Sequence, residues 1–405
     1  MTKNNILIFD EQGYFYGSTQ KLLRQMAKIL SKDFNVFFAG GPVSDSALAG
    51  DLVKSGVNIV EFNFKRKQLK EPHKLLGMMP GILRILKQYN IQCVYTTVYA
   101  HYQFPINTIP ASIPLVLISP FGHFANNGNV PLVYVSGKEN AERIKARGVS
   151  GVKLFFNPLE DFEEKYLQKK PIGEQLLFGR IGRSDDNIFD PIALKAFKKL
   201  EDKYTSKVKY IVVNPPPMWL ALAEKLGVKN IEYRNAITET EGLGKFYNEI
   251  DVLAHARKDG ETVGMAIGEA MLAGDPILTH KSHFHNDHFD ILDASYSLWA
   301  EVDNVDQYFK NMEWMLEHKN EIRHMGKLAR ARALEIFGIE NQSKKIIADF
   351  REACSKYYGN STLGNVKGYL ILYWNNLLAF PFFVGKQVTY LLPSLYKVLR
   401  KFYPN

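Results

Sequence analysis

Asp259-Gly260-Glu261-Thr262-Val263-Gly264-Met265-Ala266-Ile267-Gly268-Glu269-Ala270-Met271-Leu272-Ala273-Gly274-Asp275-Pro276 is the stretch on which the reading of the fold turns. It follows an apolar run, Ile250 to His255, that ends like a β-strand. A polar, glycine-containing loop comes next, and a helix is expected from about Gly264 to Ala273, because Gly274 and Pro276 are stop signals. Ile277-Leu278-Thr279 opens the following strand. Strand, loop, helix and strand in that order make one unit of a parallel α/β domain.

The chemistry of this stretch lies in its two glutamates. Glu261 stands in the loop and Glu269 follows eight residues later, inside the helix. A helix start offers unsatisfied N–H groups and a partial positive charge, so it attracts phosphate. A diphosphate over the amides of Val263, Gly264 and Met265, beside Thr262, leaves a carboxylate near each end of the ligand. Carboxylates accept hydrogen bonds from sugar hydroxyls in pairs. The pattern therefore suits a nucleotide diphosphate sugar.

Working outward, composition sets bounds. The chain has 405 residues, enough for two domains. With 46% hydrophobic and 23% charged residues it is an ordinary globular chain, which excludes global disorder. Two cysteines, Cys93 and Cys354, lie far apart and show no metal spacing. That fits a reducing, cytoplasmic compartment and implies no disulfide framework. No signal peptide is expected at the polar N-terminus. No apolar run reaches the roughly 18 residues of a membrane span. The net charge of +9 is open to nucleic acid, an anionic membrane face, an acidic substrate or no basic partner at all.

The Glu261 to Pro276 stretch resembles the E-x7-E signature of glycosyltransferase family 4, retaining enzymes of the GT-B fold. The match includes the glutamate spacing, the intervening glycine and the Glu-Ala-Met-x-Ala-Gly-x-Pro-Ile ending. The resemblance implies an α/β protein with two Rossmann-like parallel-sheet domains facing across a cleft. It implies that Glu261 contacts the donor sugar and that Glu269 holds the ribose. An ordinary crossover with two solvated glutamates is the alternative.

The remaining chain is read against that family. Ile6 to Phe9 reads as the first strand, and the turn after it carries Gly17, where the family often has a Gly-Gly pair facing the donor phosphate. Ser18 or Thr19 can cap the helix that follows. The segment from Lys65 to Lys74 is basic and suits either a solvated loop or anionic lipid headgroups. After the strand Pro114 to Ser119, His123 is the candidate for the family's histidine beside the donor sugar, with His101 second. Val133 to Gly148 resembles the strand–serine–helix unit that closes the first domain. Gly179-Arg180 resembles the family's phosphate-reading arginine. A lysine normally follows; this chain has Asp185 there, and Arg183 is the substitute candidate. Pro215 to Pro217 breaks the chain. Asn230 to Arg234, with Tyr233, resembles the strand whose exit loop holds the base. The histidines between His280 and His288 suit a pocket lining, or Zn²⁺.

Residues 1–160 are thus expected to form an N-terminal acceptor-binding domain. Residues 161–173 form a linker, 174–350 a nucleotide-sugar-binding domain, and 351–405 crossover helices. The aromatic and basic tail from Gly364 to Asn405 also suits an interfacial membrane anchor. The expected activity is retaining transfer of a hexose from a UDP- or GDP-sugar to a hydroxyl of a glycan or lipid-linked acceptor. No cofactor and no metal are expected. The alternatives are a GT-B epimerase or phosphorylase, or a basic nucleic-acid-binding protein. The last fits poorly, because the aromatics lie mostly in apolar runs.

Overall fold

The computed structural model describes residues 3–10, 18–40, 46–62, 72–99, 106 and 109–357, with backbone alone at 46–47 and 72–79. Gly17, residues 65–71 of the basic segment, His101 and the tail from Gly364 lie outside the described residues. The chain forms two compact units. One comprises residues up to Val135, Asn140–Leu154 and the chain from Lys345; the other comprises Ser136–Glu139 and Phe155–Lys344.

In chain order the first unit's elements are β1 (Asn5–Phe9), α1 (Ser18–Ser31), β2 (Asn35–Gly40), α2 (Ser46–Lys54), β3 (Asn58–Glu61), α3 (Pro72–Gln88), β4 (Cys93–Thr97), β5 (Leu115–Ser119), β6 (Leu132–Val135), α4 (Lys138–Lys145) and β7 (Val152–Leu154). Their sheet has the order β3-β2-β1-β4-β5-β6-β7, with every pairing parallel. Strands buried on both faces must be apolar throughout, which is why β1 and β5 are continuous runs with Ile6, Ile8, Leu115 and Leu117 wholly buried. Ser18, a candidate cap, is already the first helical residue of α1. The two cysteines, remote in sequence, come close together inside this unit, both buried and unbridged.

The second unit continues with α5 (Glu164–Leu167), β8 (Leu176–Ile181), α6 (Pro191–Tyr204), β9 (Val208–Val213), α7 (Pro217–Leu226), β10 (Ile231–Arg234), α8 (Thr240–Glu249), β11 (Val252–Ala254), β12 (Gly260–Glu261), α9 (Met265–Ala273), β13 (Ile277–His280), β14 (His285–Asn286), β15 (Ser297–Ala300), α10 (Val305–Glu317) and α11 (Lys319–Phe337); α12 (Ile339–Cys354) begins in it and from Lys345 belongs to the first unit. Its main sheet has the order β10-β9-β8-β11-β13-β15, again all parallel. A separate two-stranded ladder joins β12 to β14.

Two expectations need correction. Residues 161–173 do not link the units: Phe162 and Tyr166 are buried in the second unit's core, so their apolar area ties the segment down despite its charge. Pro215 to Pro217 does not merely break the chain. Pro217 opens α7, because the first helical position needs no backbone N–H donor. The edge strand β15 carried no signal strong enough to expect it: Ser297 to Ala300 is short and lacks a run of β-branched residues.

Candidate functional site

Sheet order locates the site. β8 leads by way of α6 to β9 on one side, and β11 leads to β13 on the other, so β8 and β11 flank a topological switch point. Open parallel sheets bind ligands in the crevice outside the carboxyl ends of such strands. Here those ends carry Arg180 on β8, and His255 just past β11. The loop after β11 brings Glu261 back beside them through its pairing with Asn286.

The backbone at this loop demands glycine twice. Gly260 has φ +73°, and a Cβ there would lie 1.8 Å from the His285 carbonyl oxygen. Gly264 has φ +78° and precedes α9 as its N-cap. The helix therefore starts at Met265, one residue later than the sequence suggests. Its four unsatisfied amides are those of Gly264, Met265, Ala266 and Ile267 rather than Val263. Thr262 is half-buried just before them, and Val263 turns its side chain into the core at 5% exposure. α9 holds firm because Ile267, Ala270, Met271 and Leu272 are all wholly buried, each large side chain contributing about 1.5–3 kcal/mol.

Glu261 is 9% exposed and heavily held. His255 Nε2 donates to Oε1 at 3.0 Å and Arg257 donates to the same oxygen at 3.2 Å. Burial opposes its charge, but the His255 hydrogen bond and the Arg257 cation outweigh burial and hold the carboxyl at about 2. Burial and the Arg180 charge push His255 down to about 3, so its ring is neutral and acts as a donor, not a cation. His288 Nδ1 donates to the Glu261 backbone carbonyl at 3.3 Å, and burial brings that ring down to about 4. Arg257 is itself clamped: Nε and one terminal nitrogen meet the two Asp259 oxygens at 2.6 and 3.1 Å. Its backbone N–H donates to His280 Nε2 at 3.2 Å, which leaves the His280 proton on Nδ1, donated to the Lys281 carbonyl at 2.8 Å.

Glu269, half-buried on α9, accepts from the phenol of Tyr247 at 3.0 Å. Tyr247 is wholly buried, and burial with the nearby Glu269 charge keeps it protonated. That phenol fixes one carboxylate oxygen of Glu269.

The two arginines diverge. Arg180 is 2% exposed and lies beneath the loop that follows β8. It donates to the Ile181 and Ile188 carbonyls, and its guanidinium stacks 4.5 Å from the centre of the Phe189 ring. A buried cation needs such partners. Arg183 is exposed and meets Asp185 at 3.4 Å. Asp185, standing where the family has lysine, folds the loop by accepting the Asn187 N–H at 3.0 Å. Tyr233 lies on the edge strand β10, 43% exposed and edge-on to Trp219 at 6.4 Å. His123 is half-buried in the loop after β5 in the first unit, and its backbone carbonyl accepts from Ser119 at 2.6 Å. The histidines after β13 serve separate partners: His280 the Lys281 carbonyl, His283 Asp303, and His288 Glu261. Among the described residues no three His, Cys, Asp or Glu side chains converge as a metal would require.

Glu261 thus stands before the α9 start and Glu269 inside α9, with Arg180 on β8, Arg183 on the loop after it, and Tyr233 on β10, two strands from β8. Sequence reading missed His255, Arg257, Asp259 and Tyr247. Arg257 and Asp259 sit in a tight turn closed by the Gly260 N–H on the Arg257 carbonyl at 3.1 Å, so no strand alternation marks them in the sequence. Tyr247 had no signal either.

Residues 167–332 match the family described as glycosyl transferases group 1. No curated protein sequence matches the chain. Among solved structures the chain is similar to HepE from Anabaena, solved in complex with UDP and glucose, at 15% identity and a TM-score of 0.66; 87% of this chain and 99% of that one are covered. A glycosyltransferase from Rickettsia africae gives 13% identity and a TM-score of 0.67, with 89% and 100% covered. Sucrose-phosphate synthase from Thermosynechococcus elongatus gives 12%, 0.65, and 87% and 100%. At these identities the likeness speaks for the fold: two parallel-sheet α/β domains, as in GT-B glycosyltransferases.

Proposed function

We propose that the chain is a retaining glycosyltransferase that moves a hexose from a UDP- or GDP-sugar to a hydroxyl of a glycan or lipid-linked acceptor. One observation carries this reading: an ionised carboxylate, Glu261, stands just before the free amides of α9, and a second, Glu269, lies on the second turn of that helix, at the switch point of a parallel sheet. The match to group 1 glycosyl transferases over the same residues supports it, as does the UDP and glucose complex of the similar HepE.

In this reading the diphosphate lies over the Gly264 to Ile267 amides, and Arg183 reaches it from the β8 loop. Arg180 adds positive potential from beneath rather than a direct contact. Glu269 accepts from the ribose, Tyr233 attends the base, and Glu261 accepts from the donor sugar. His123 is the first unit's candidate group for that sugar. As the glycosidic bond breaks, charge gathers on the leaving diphosphate, where fixed amides and cations are most effective. The reaction takes place at a cytoplasmic site. Among the described residues no helix is long and apolar enough to cross a membrane.

Incubation with UDP-glucose, UDP-galactose, UDP-N-acetylglucosamine and GDP-mannose, with NMR of the product, tests the proposal. The anomeric configuration of the donor should be kept, and Glu261→Ala should lower turnover by about 10²–10³ while much of the UDP or GDP affinity survives. An inverted product, or wild-type turnover by that variant, would overturn it.

A further inference from the structure

The manner in which Glu261 is held says more than that it is held. Both of its side-chain donors, His255 Nε2 at 3.0 Å and Arg257 at 3.2 Å, land on the same oxygen, Oε1. Among the described residues no donor reaches Oε2. A carboxylate buried for stability alone is usually satisfied on both oxygens, because each has its own desolvation cost. Here one oxygen is anchored and the other is offered.

The anchor is itself built to be rigid. Arg257 has one fork taken by Asp259 through two hydrogen bonds of 2.6 and 3.1 Å, and its backbone N–H is fixed by His280 at 3.2 Å. Only the remaining terminal nitrogen is left for Glu261. A lysine in this place could not hold Asp259 and Glu261 at once with fixed directions, whereas a planar guanidinium does both. His255, 2% exposed, closes the other side of Oε1.

We propose that Arg257, clamped by Asp259 and seconded by His255, is the positioning residue that turns Oε2 of Glu261 toward the donor-sugar hydroxyl. The inference rests on the sugar-transfer reading for its consequence in turnover, but not for the geometry. Arg257 touches no reacting atom; it acts through Glu261. The groups that face Glu261 are His255, Arg257, His288 and, at longer range, Arg180. At neutral pH both histidines are uncharged, so the cation within hydrogen-bond reach is Arg257.

Two measurements on the full chain separate the inference from the reading it rests on. The first is a carboxyl ¹³C NMR titration of protein labelled at glutamate, with Glu261 assigned from the signal lost in Glu261→Gln. In the wild type the Glu261 carboxylate stays ionised down to acid pH; in Arg257→Ala its titration should move up by at least one pH unit, with Arg257→Lys in between. This readout needs no substrate. The second is UDP affinity by calorimetry beside acceptor-free hydrolysis of UDP-glucose, UDP-galactose, UDP-N-acetylglucosamine and GDP-mannose. Arg257→Ala should keep UDP affinity within threefold, lower kcat on the donor that the wild type uses by thirtyfold or more, and shift the acid limb of the pH profile upward. Arg257→Lys should recover part of kcat. Arg257→Gln, which keeps the stem and one donor, takes the place of the alanine variant if that one fails to fold. If no probe sugar is hydrolysed by the wild type, the transfer reading fails and the titration alone decides the positioning. An unmoved Glu261 titration, or a loss of UDP affinity as large as the loss of kcat, would overturn it.

Discussion

Two buried charge networks stand at opposite ends of the second unit's sheet, and they are built on different rules. At the strand starts, Asp251 precedes β11 and Asp275 precedes β13. Lys169 reaches Asp275 and donates also to the Tyr247 and Ile250 carbonyls. Arg323 donates to one Asp251 oxygen at 2.6 Å, and the Leu177 N–H to the other at 3.0 Å. Two acids face two bases: Asp275 is wholly buried and Asp251 4% exposed, and Asp275 Oδ2 and Arg323 Nη1 are sealed in without a hydrogen-bond partner. At the strand ends, Glu261 has both donors on one oxygen. The first network pairs each acid with a cation, and its unpartnered atoms are shut away from any ligand. The second also leaves one carboxylate oxygen without a donor, but Oε2 of Glu261 is not among the sealed atoms, so it is open to a hydroxyl from outside.

The largest expected effect tests the network at the strand starts. Lys169→Met leaves the Asp275 carboxylate without its cation and should cost about 3–5 kcal/mol of stability, read by urea unfolding. Nucleotide affinity of the folded fraction should be unchanged. A loss of nucleotide binding in the folded fraction, or no loss of stability, would break the distinction between the two ends. Next comes Glu269→Ala, which removes a charged acceptor proposed to hold the ribose. It should weaken UDP or GDP binding by about 1.5–3 kcal/mol, with the unfolding midpoint little moved. Unchanged affinity in a folded variant would remove Glu269 from the site.

The pH dependence of stability sharpens the contrast, because the two ends titrate in opposite senses. Burial, opposed by Lys169 and Arg323, raises Asp275 from 3.8 to about 7. The folded state then keeps a proton that the unfolded chain has released, so this term lowers stability as pH climbs from about 4 to about 7. Asp251 adds to the rise. Glu261 runs the other way: its carboxyl falls from 4.5 to about 2, so its stabilising contribution is complete above about 4.5 and is lost as pH drops toward 2. Unfolding free energies from pH 2 to 9 should separate the two: Glu261→Gln should flatten the acid limb, and Lys169→Met should carry the decline beyond pH 7. The smallest effect is Tyr247→Phe. It removes the donor to Glu269 and should cost about 0.5–1.5 kcal/mol, in nucleotide affinity more than in stability.

Much of the fold was legible because it rests on local rules. Continuous apolar runs such as Ile6 to Phe9 and Tyr210 to Val213 can only be strands buried on both faces, and Gly274 with Pro276 can only end a helix. The Asp161 to Gly173 segment misled for the same reason: its charges are local, whereas the burial of Phe162 and Tyr166 depends on a core assembled from elsewhere.

By itself, then, the sequence determined the parallel α/β class, the helix that follows Glu261 and the eight-residue interval between the two carboxylates, since those follow from periodicity and backbone stereochemistry. Tertiary structure alone decided the rest. It put Arg180 under its loop, brought Tyr247 to Glu269 and Asn286 to Glu261, and set both donors on one oxygen of that carboxylate. The physical reason is that a side chain's charge state and free lone pairs depend on which atoms surround it, and chain folding assembles those atoms from positions far apart in sequence.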